Sequence, residues 1–105
     1  MEQIAFNELF RKKTKQLTLS IMRFYSNLSK NDEVRIIGKQ LIRSSTSVAA
    51  NFRAVCVARS VKERYSKLCI VVEEADEALF WLELLAESHL KINIPDHLIK
   101  EALEI

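Results

Sequence analysis

The chain has 105 residues, of which 49% are hydrophobic and 29% charged, and its formal net charge is +2. With one glycine and one proline, its composition excludes the disordered and fibrous classes. This length supplies one hydrophobic core, so we expect a single domain over residues 1–105. Two cysteines give no disulfide framework, and no signal-peptide or membrane-spanning pattern is evident, so we expect a cytoplasmic protein without membrane partners.

Two helices are predicted in the first half of the chain. The first covers about residues 6–28, and its outer face carries Lys12, Lys13 and Lys15. Its apolar face is formed by Leu9, Leu17, Ile21, Phe24 and Leu28. A polar break precedes Asp32, which begins a second helix over about residues 32–56.

A third, longer helix is predicted over about residues 60–88. It begins at Ser60 and Glu63, which have the spacing of a capping box. One continuous apolar stripe is expected to face the core, formed by Val61, Tyr65, Leu68, Val72, Ala75, Leu79, Leu82 and Ala86. Pro95 then starts a short fourth helix, because proline is tolerated in the first helical turn.

Antiparallel pairing of the second and third helices predicts specific contacts. With a turn near Ala58, Arg43 lies opposite Glu73 and Glu74, and we expect an ion pair there that fixes the register of the hairpin. The alternative is that Arg43 points into water. Gly38 falls opposite residues 78–81, which predicts that its missing side chain makes room for Phe80 or Trp81.

Residues 41–85 also carry a family resemblance. The matching features are LIRS at 41–44, Ser47, AN at 50–51, ARS at 58–60, KL at 67–68, EEA at 73–75 and WLELL at 81–85. With these features the chain resembles the four helix bundle proteins, also described as the 23S ribosomal RNA intervening-sequence proteins. The resemblance implies an all-α, antiparallel up-down-up-down four-helix bundle, and the sequence itself predicts that the fourth helix is short, whereas similar proteins usually carry a longer one. It also implies a homo-oligomer, with a pentameric ring favoured, and a connection with RNA.

Charge is distributed unevenly along the chain. Residues 1–67 contain 14 basic and 5 acidic residues, whereas residues 68–105 contain 2 basic and 9 acidic residues. Basic residues concentrate around the turn between the second and third helices, at Arg53, Arg59, Lys62, Arg64 and Lys67. Such a cluster predicts contacts with the phosphates of RNA or DNA. The alternative interpretation is an ordinary solvated surface.

Catalytic chemistry has little support in this sequence. The two histidines, His89 and His97, have no clear third ligand for a metal, and there is no phosphate-binding glycine loop or nucleophile motif. We therefore predict no catalytic residue, metal or cofactor. The resulting hypothesis is a non-enzymatic, self-associating bundle that contacts nucleic acid. The alternative is a structural or adaptor scaffold that binds a protein partner and has no nucleic-acid role.

Overall fold

The computed structural model describes residues 2–105, which fold into four α-helices without strands. The helices are α1 (Gln3–Ser26), α2 (Asp32–Cys56), α3 (Val61–Glu87) and α4 (Asp96–Leu103). Neighbouring helices in the chain run antiparallel, α1 packs against α2 and α4, and α3 packs against the same two helices. The predicted up-down-up-down bundle with a short fourth helix is confirmed. No helix within the described residues is long and apolar enough to cross a membrane.

Helix boundaries follow local capping chemistry. Asn31 begins α2, since its side-chain oxygen accepts a hydrogen bond from the Val34 N–H at 2.8 Å. Ser60 begins α3 by accepting from the Glu63 N–H at 3.0 Å. Glu63 completes a modified capping box, because its carboxylate accepts from the N–H of Arg59 rather than from that of Ser60. The predicted start of α3 is thus correct.

The core consists of two clusters along the 45 Å length of the bundle. Near the α2–α3 turn, Phe6 and Phe10 of α1 pack against the buried Phe52, and all three ring pairs lie within 6.1 Å of one another. The other cluster lies where α4 joins the bundle and contains Leu17, Ile21, Leu41, Ala78, Leu82, Leu85, Leu98 and Ala102. The N-terminal half of α1 therefore lies beside the α2–α3 turn.

The apolar stripe predicted for α3 differs from the observed one. Val61, Tyr65, Val72 and Ala86 are exposed, whereas the buried line of the helix is Val71, Ala75, Ala78, Leu82 and Leu85. The predicted stripe and the buried line have the same spacing of about 3.5 residues and share Ala75 and Leu82, so they differ in their rotation about the helix axis and not in their period. Helix α3 packs against α2 along one side only. Val61, Tyr65 and Val72 lie away from that side and face outward.

Two further residue-level predictions were wrong. Leu9, expected in the core of α1, is 39% exposed. Gly38 makes room for Tyr25 of α1, not for Phe80 or Trp81, because a Cβ at Gly38 would overlap the Tyr25 ring. The glycine therefore determines the approach of α1 to α2 rather than that of α3.

Candidate nucleic-acid interface

The ion pair that fixes the α2–α3 hairpin is centred on Arg43. Its guanidinium donates to both oxygens of Glu74, at 3.0 and 3.3 Å, and to Glu77 at 2.6 Å. Trp81 donates its indole N–H to the same Glu77 oxygen, at 3.2 Å. The second acidic partner is therefore Glu77 rather than the expected Glu73. Glu73 is exposed and lies on another side of the helix, whereas Glu77 follows Glu74 by three residues on the same face.

These contacts set the charge states of the pair. Hydrogen bonds from Arg43 lower the pKa of Glu74 to about 2. The two carboxylates in turn raise the pKa of Arg43 further above its usual value. Arg43 and Glu74 are thus both charged at neutral pH, and their contact fixes the register of the hairpin.

Of the five basic residues predicted to contact phosphate, Arg53, Arg59 and Lys62 are exposed at the α2–α3 turn, and Lys67 is half-buried on α3. Arg59 also approaches an acid: its Nε lies 3.4 Å from Glu63. Hydrogen bonds from the backbone and side chain of Arg59 lower the pKa of Glu63, so this carboxylate stays charged. The turn therefore carries a fixed negative charge among its basic residues.

Arg64 is held within the bundle. Its Nη1 donates to Asn7 Oδ1 at 3.3 Å and to the Val55 carbonyl at 3.4 Å, and its guanidinium lies 5.8 Å from the Phe6 ring centroid. These contacts attach the start of α1 to the end of α2 and to α3. Arg64 is consequently less available to a phosphate than the exposed members of the predicted cluster.

A groove between α1 and α2 collects basic residues from both helices. We call it the α1–α2 groove; it has a volume of about 280 Å³ and is lined by Arg11, Lys15, Thr18, Leu19, Thr46, Ala49, Ala50 and Arg53. No acidic residue lines it among residues 2–105. Lys15 and Arg53 have no acidic partner within 4.0 Å in the described part of the chain, and Arg11 has a weak exposed contact of 3.7 Å with Glu8.

The α2 side of the α1–α2 groove includes two small side chains, Ala49, which is half-buried, and Ala50, which is exposed. The three basic residues of its lining, Arg11, Lys15 and Arg53, are all exposed. Of these three, sequence reasoning singled out Arg53 as a phosphate contact and missed Arg11 and Lys15. Arg11 and Lys15 come near Arg53 through the packing of α1 on α2, the same packing that brings Phe6 and Phe10 to Phe52, and no local sequence pattern reports it.

A second groove, between α1 and α4, has mixed charge. It has a volume of about 560 Å³ and is lined by Lys12, Lys13, Lys15, Gln16, Leu19, Glu101 and Glu104. Lys13 pairs with Glu104 at 3.2 Å, so part of its positive charge is neutralised. The α1–α2 groove is therefore better suited to a polyanion.

Residues 2–105 contain no group of three or more His, Cys, Asp or Glu side chains positioned to hold a metal ion. His89 lies 3.2 Å from Glu33, in an exposed pair that links the α3–α4 connection to α2. The α1–α2 groove presents ammonium, guanidinium and aliphatic groups, whereas the groove between α1 and α4 also presents the carboxylates of Glu101 and Glu104. The arrangement in the α1–α2 groove suits electrostatic binding of a phosphate backbone.

Comparison with known proteins yields one family and a solved structure. A crystal structure of a protein of unknown function from the S23 ribosomal protein family of Bacteroides thetaiotaomicron superposes with a TM-score of 0.83 at 28% sequence identity. The similarity covers 93% of this chain and 88% of that protein. No curated protein matches. The family described as 23S rRNA-intervening sequence protein matches residues 8–105, and the chain belongs to this family.

Proposed function

We propose that this protein is a non-enzymatic, cytoplasmic, self-associating helical bundle that contacts the phosphates of RNA or DNA. The observation that carries the proposal is the α1–α2 groove, in which Arg11, Lys15 and Arg53 project from two helices around a floor without acidic residues. The description of the family, which refers to 23S rRNA, supports RNA as the nucleic acid.

Contacts of this kind give affinity without reading sequence. Lysine and arginine neutralise phosphates and release condensed counterions, so the association constant falls steeply as salt rises. Base edges are read by hydrogen-bonding groups that enter a nucleic-acid groove, and the α1–α2 groove offers basic groups around an aliphatic floor. Arg59 and Lys62 at the α2–α3 turn extend the same basic end of the bundle. We therefore propose weak binding that depends on charge and shape.

Self-association is supported by large apolar side chains on the surface. Tyr65 is 69% exposed, Val72 59% and Phe80 50%, and all three lie on α3. Burial of apolar area is favourable by about 25 cal/mol for each Å², and this gain must exceed the entropy cost of association for an assembly to form. A closed ring of copies buries them symmetrically, and the family resemblance favours a pentamer.

The test of nucleic-acid binding is light scattering on a sizing column, with and without a structured RNA, at low and moderate salt. The wild-type protein is expected to elute with the RNA at low salt and to separate from it as salt rises. Lys15→Glu together with Arg53→Glu should abolish co-elution. The matched control is Lys39→Glu with Lys100→Glu, which makes the same charge change at exposed positions outside the α1–α2 groove. An equal loss of RNA co-elution in both variants would contradict a phosphate-binding site in the α1–α2 groove.

The second candidate function is a scaffold for a protein partner. The exposed apolar residues of α3 favour it, since monomeric proteins rarely leave contiguous apolar patches uncovered. The same sizing-column measurement distinguishes the two proposed functions. An oligomer that ignores RNA at low salt leaves the scaffold as the better explanation.

A further inference from the structure

The two helices that lie diagonally across the bundle have opposite charge. Of the four helices, α1 and α3 are each flanked by α2 and α4. Helix α1 has five basic residues and one acidic residue, which gives a net charge of +4. Helix α3 has three basic and seven acidic residues, which gives −4. The bundle therefore presents a positive surface on one side and a negative surface on the opposite side.

Both of these surfaces also expose large apolar side chains. On α1, Leu19 and Met22 are 45% and 47% exposed, and Lys12 and Arg23 are exposed on the same helix. We call this the α1 outer face. The α3 outer face consists of Tyr65, Val72 and Phe80 together with the exposed acids Asp76 and Glu83.

The charged members of the two faces have no partner inside the bundle. Within residues 2–105, Lys12 and Arg23 of α1 make no ion pair, and neither do Asp76 and Glu83 of α3. Each face thus combines exposed apolar side chains with unpaired charge that is mainly of one sign; on α3 the exception is Lys62, which is exposed on the same side about five helical turns before Phe80. This combination is expected of an interface that is covered in an assembly, where burial supplies affinity and charge supplies selectivity.

We propose that the α1 outer face of one copy binds the α3 outer face of a second copy. This proposal rests on the self-association proposed above and specifies the surfaces that make it. The occupant is a second copy because one chain carries both complementary surfaces, basic on α1 and acidic on α3. Pairing two α3 faces would bring together two helices of net charge −4.

The contact is head-to-tail, because its two halves are different surfaces. A head-to-tail contact closes into a ring when the rotation between copies allows closure, and otherwise continues as a chain. Because α1 and α3 lie on opposite sides of the bundle, each copy can hold two neighbours at once. Leu19 belongs both to the α1 outer face and to the α1–α2 groove, so the two surfaces adjoin. The charged residues of this interface, Lys12 and Arg23 against Asp76 and Glu83, differ from Arg11, Lys15 and Arg53 of the groove.

The experiment uses charge reversal on each face of the full chain. Lys12→Glu with Arg23→Glu reverses the α1 outer face, and Asp76→Lys with Glu83→Lys reverses the α3 outer face. Light scattering on a sizing column should show that each variant alone falls to the 12.2 kDa monomer. The dissociation constant for assembly is expected to rise on the order of 100-fold in each. Lys39→Glu with Lys100→Glu should leave the mass unchanged.

Recombination of the reversed faces makes the test specific. Combining all four substitutions in one chain restores opposite charges at every contact, so assembly should return. Mixing the two reversed variants should also restore association above the monomer mass through contacts between unlike copies, although a five-membered ring cannot alternate the two variants at every contact. Recovery shows that reversed chains fold, because an unfolded variant does not assemble with its counterpart.

Two outcomes would overturn the proposal, and they differ from each other. A monomeric wild type would refute self-association itself. A wild-type oligomer that persists after either reversal, or that is not restored by the four-substitution chain, would refute the α1–α3 contact and leave self-association through another surface.

Discussion

Arg43 joins α2 to α3 through two carboxylates, and its contacts differ from an isolated surface ion pair. Glu74 is largely buried, with 16% of its side chain exposed, and it receives two hydrogen bonds from the guanidinium. Paired, two-pronged contacts of this kind fix orientation as well as distance. Because Glu77 also receives the Trp81 N–H, the network connects the hairpin register to an aromatic side chain beside the core.

Replacement of Glu74 by glutamine should reveal this network in the pH dependence of stability. The pKa of Glu74 is lowered from 4.5 to about 2, so its contribution is complete above pH 4.5 and is lost as the pH falls toward 2. At pH 7 the Glu74→Gln variant should unfold with a free energy about 1 kcal/mol below the wild type. Denaturant unfolding across this pH range should show the difference disappearing near pH 2.

Glu73→Gln is the matched control for that measurement. Glu73 is adjacent in sequence but exposed and outside the Arg43 network, so its removal should have little effect on stability at any pH. A difference between wild type and Glu74→Gln that persists unchanged at pH 2 would show that packing, rather than charge, accounts for the role of Glu74.

At the scale of helices, capping and pairing were readable from the sequence, whereas the rotation of α3 was not. Ser60 and Glu63 marked the start of α3, because a capping box depends on residues three positions apart. Antiparallel pairing likewise brought Arg43 to Glu74. The direction in which Val72 faces depends instead on where neighbouring helices lie, which is a property of the assembled bundle.

In the candidate nucleic-acid interface, too, some residues could be predicted from local sequence and others depend on tertiary packing. Arg53 could be predicted as an exposed basic residue from its position near a turn. Arg11 and Lys15 lie near Arg53 because α1 packs on α2, and this packing brings together residues that are far apart in the sequence. Arg64 was grouped with the exposed cluster, but its contacts with Asn7 and Val55 depend on the tertiary position of the α1 start. Local composition cannot report such contacts.

Gly38 and Tyr25 provide a test of the α1–α2 approach. In Gly38→Ala, displacement of the Tyr25 ring by the added Cβ costs about 1–3 kcal/mol, and alanine returns about 1 kcal/mol because it favours the helix more than glycine does. The free energy of unfolding should therefore fall by up to about 2 kcal/mol. In a Tyr25→Ala background, the same substitution should instead stabilise the protein. Urea denaturation of the four chains measures both effects, and stabilisation by Gly38→Ala in both backgrounds would refute the contact.

At the scale of the whole molecule, basic residues gather at one end of the bundle. The N-terminal half of α1 and the α2–α3 turn lie together there, held by the Phe6, Phe10 and Phe52 cluster and by Arg64. Most of the positive charge of residues 1–67 is therefore brought to one region of a molecule 45 Å long. A polyanion that approaches this end meets a concentrated positive field.

The salt dependence of binding tests whether Arg53 contacts phosphate in this field. Arg53→Gln should reduce the slope of log association constant against log salt by about 0.9 for a duplex or about 0.7 for a single strand. The loss of affinity should be equal for nucleic acids of different sequence, because a phosphate contact carries no sequence information. Titrations of labelled RNA at several salt concentrations measure the slope, with Lys39→Gln as the control that leaves it unchanged. If the slope stays at the wild-type value while affinity falls for one sequence alone, Arg53 reads a base instead of neutralising the backbone.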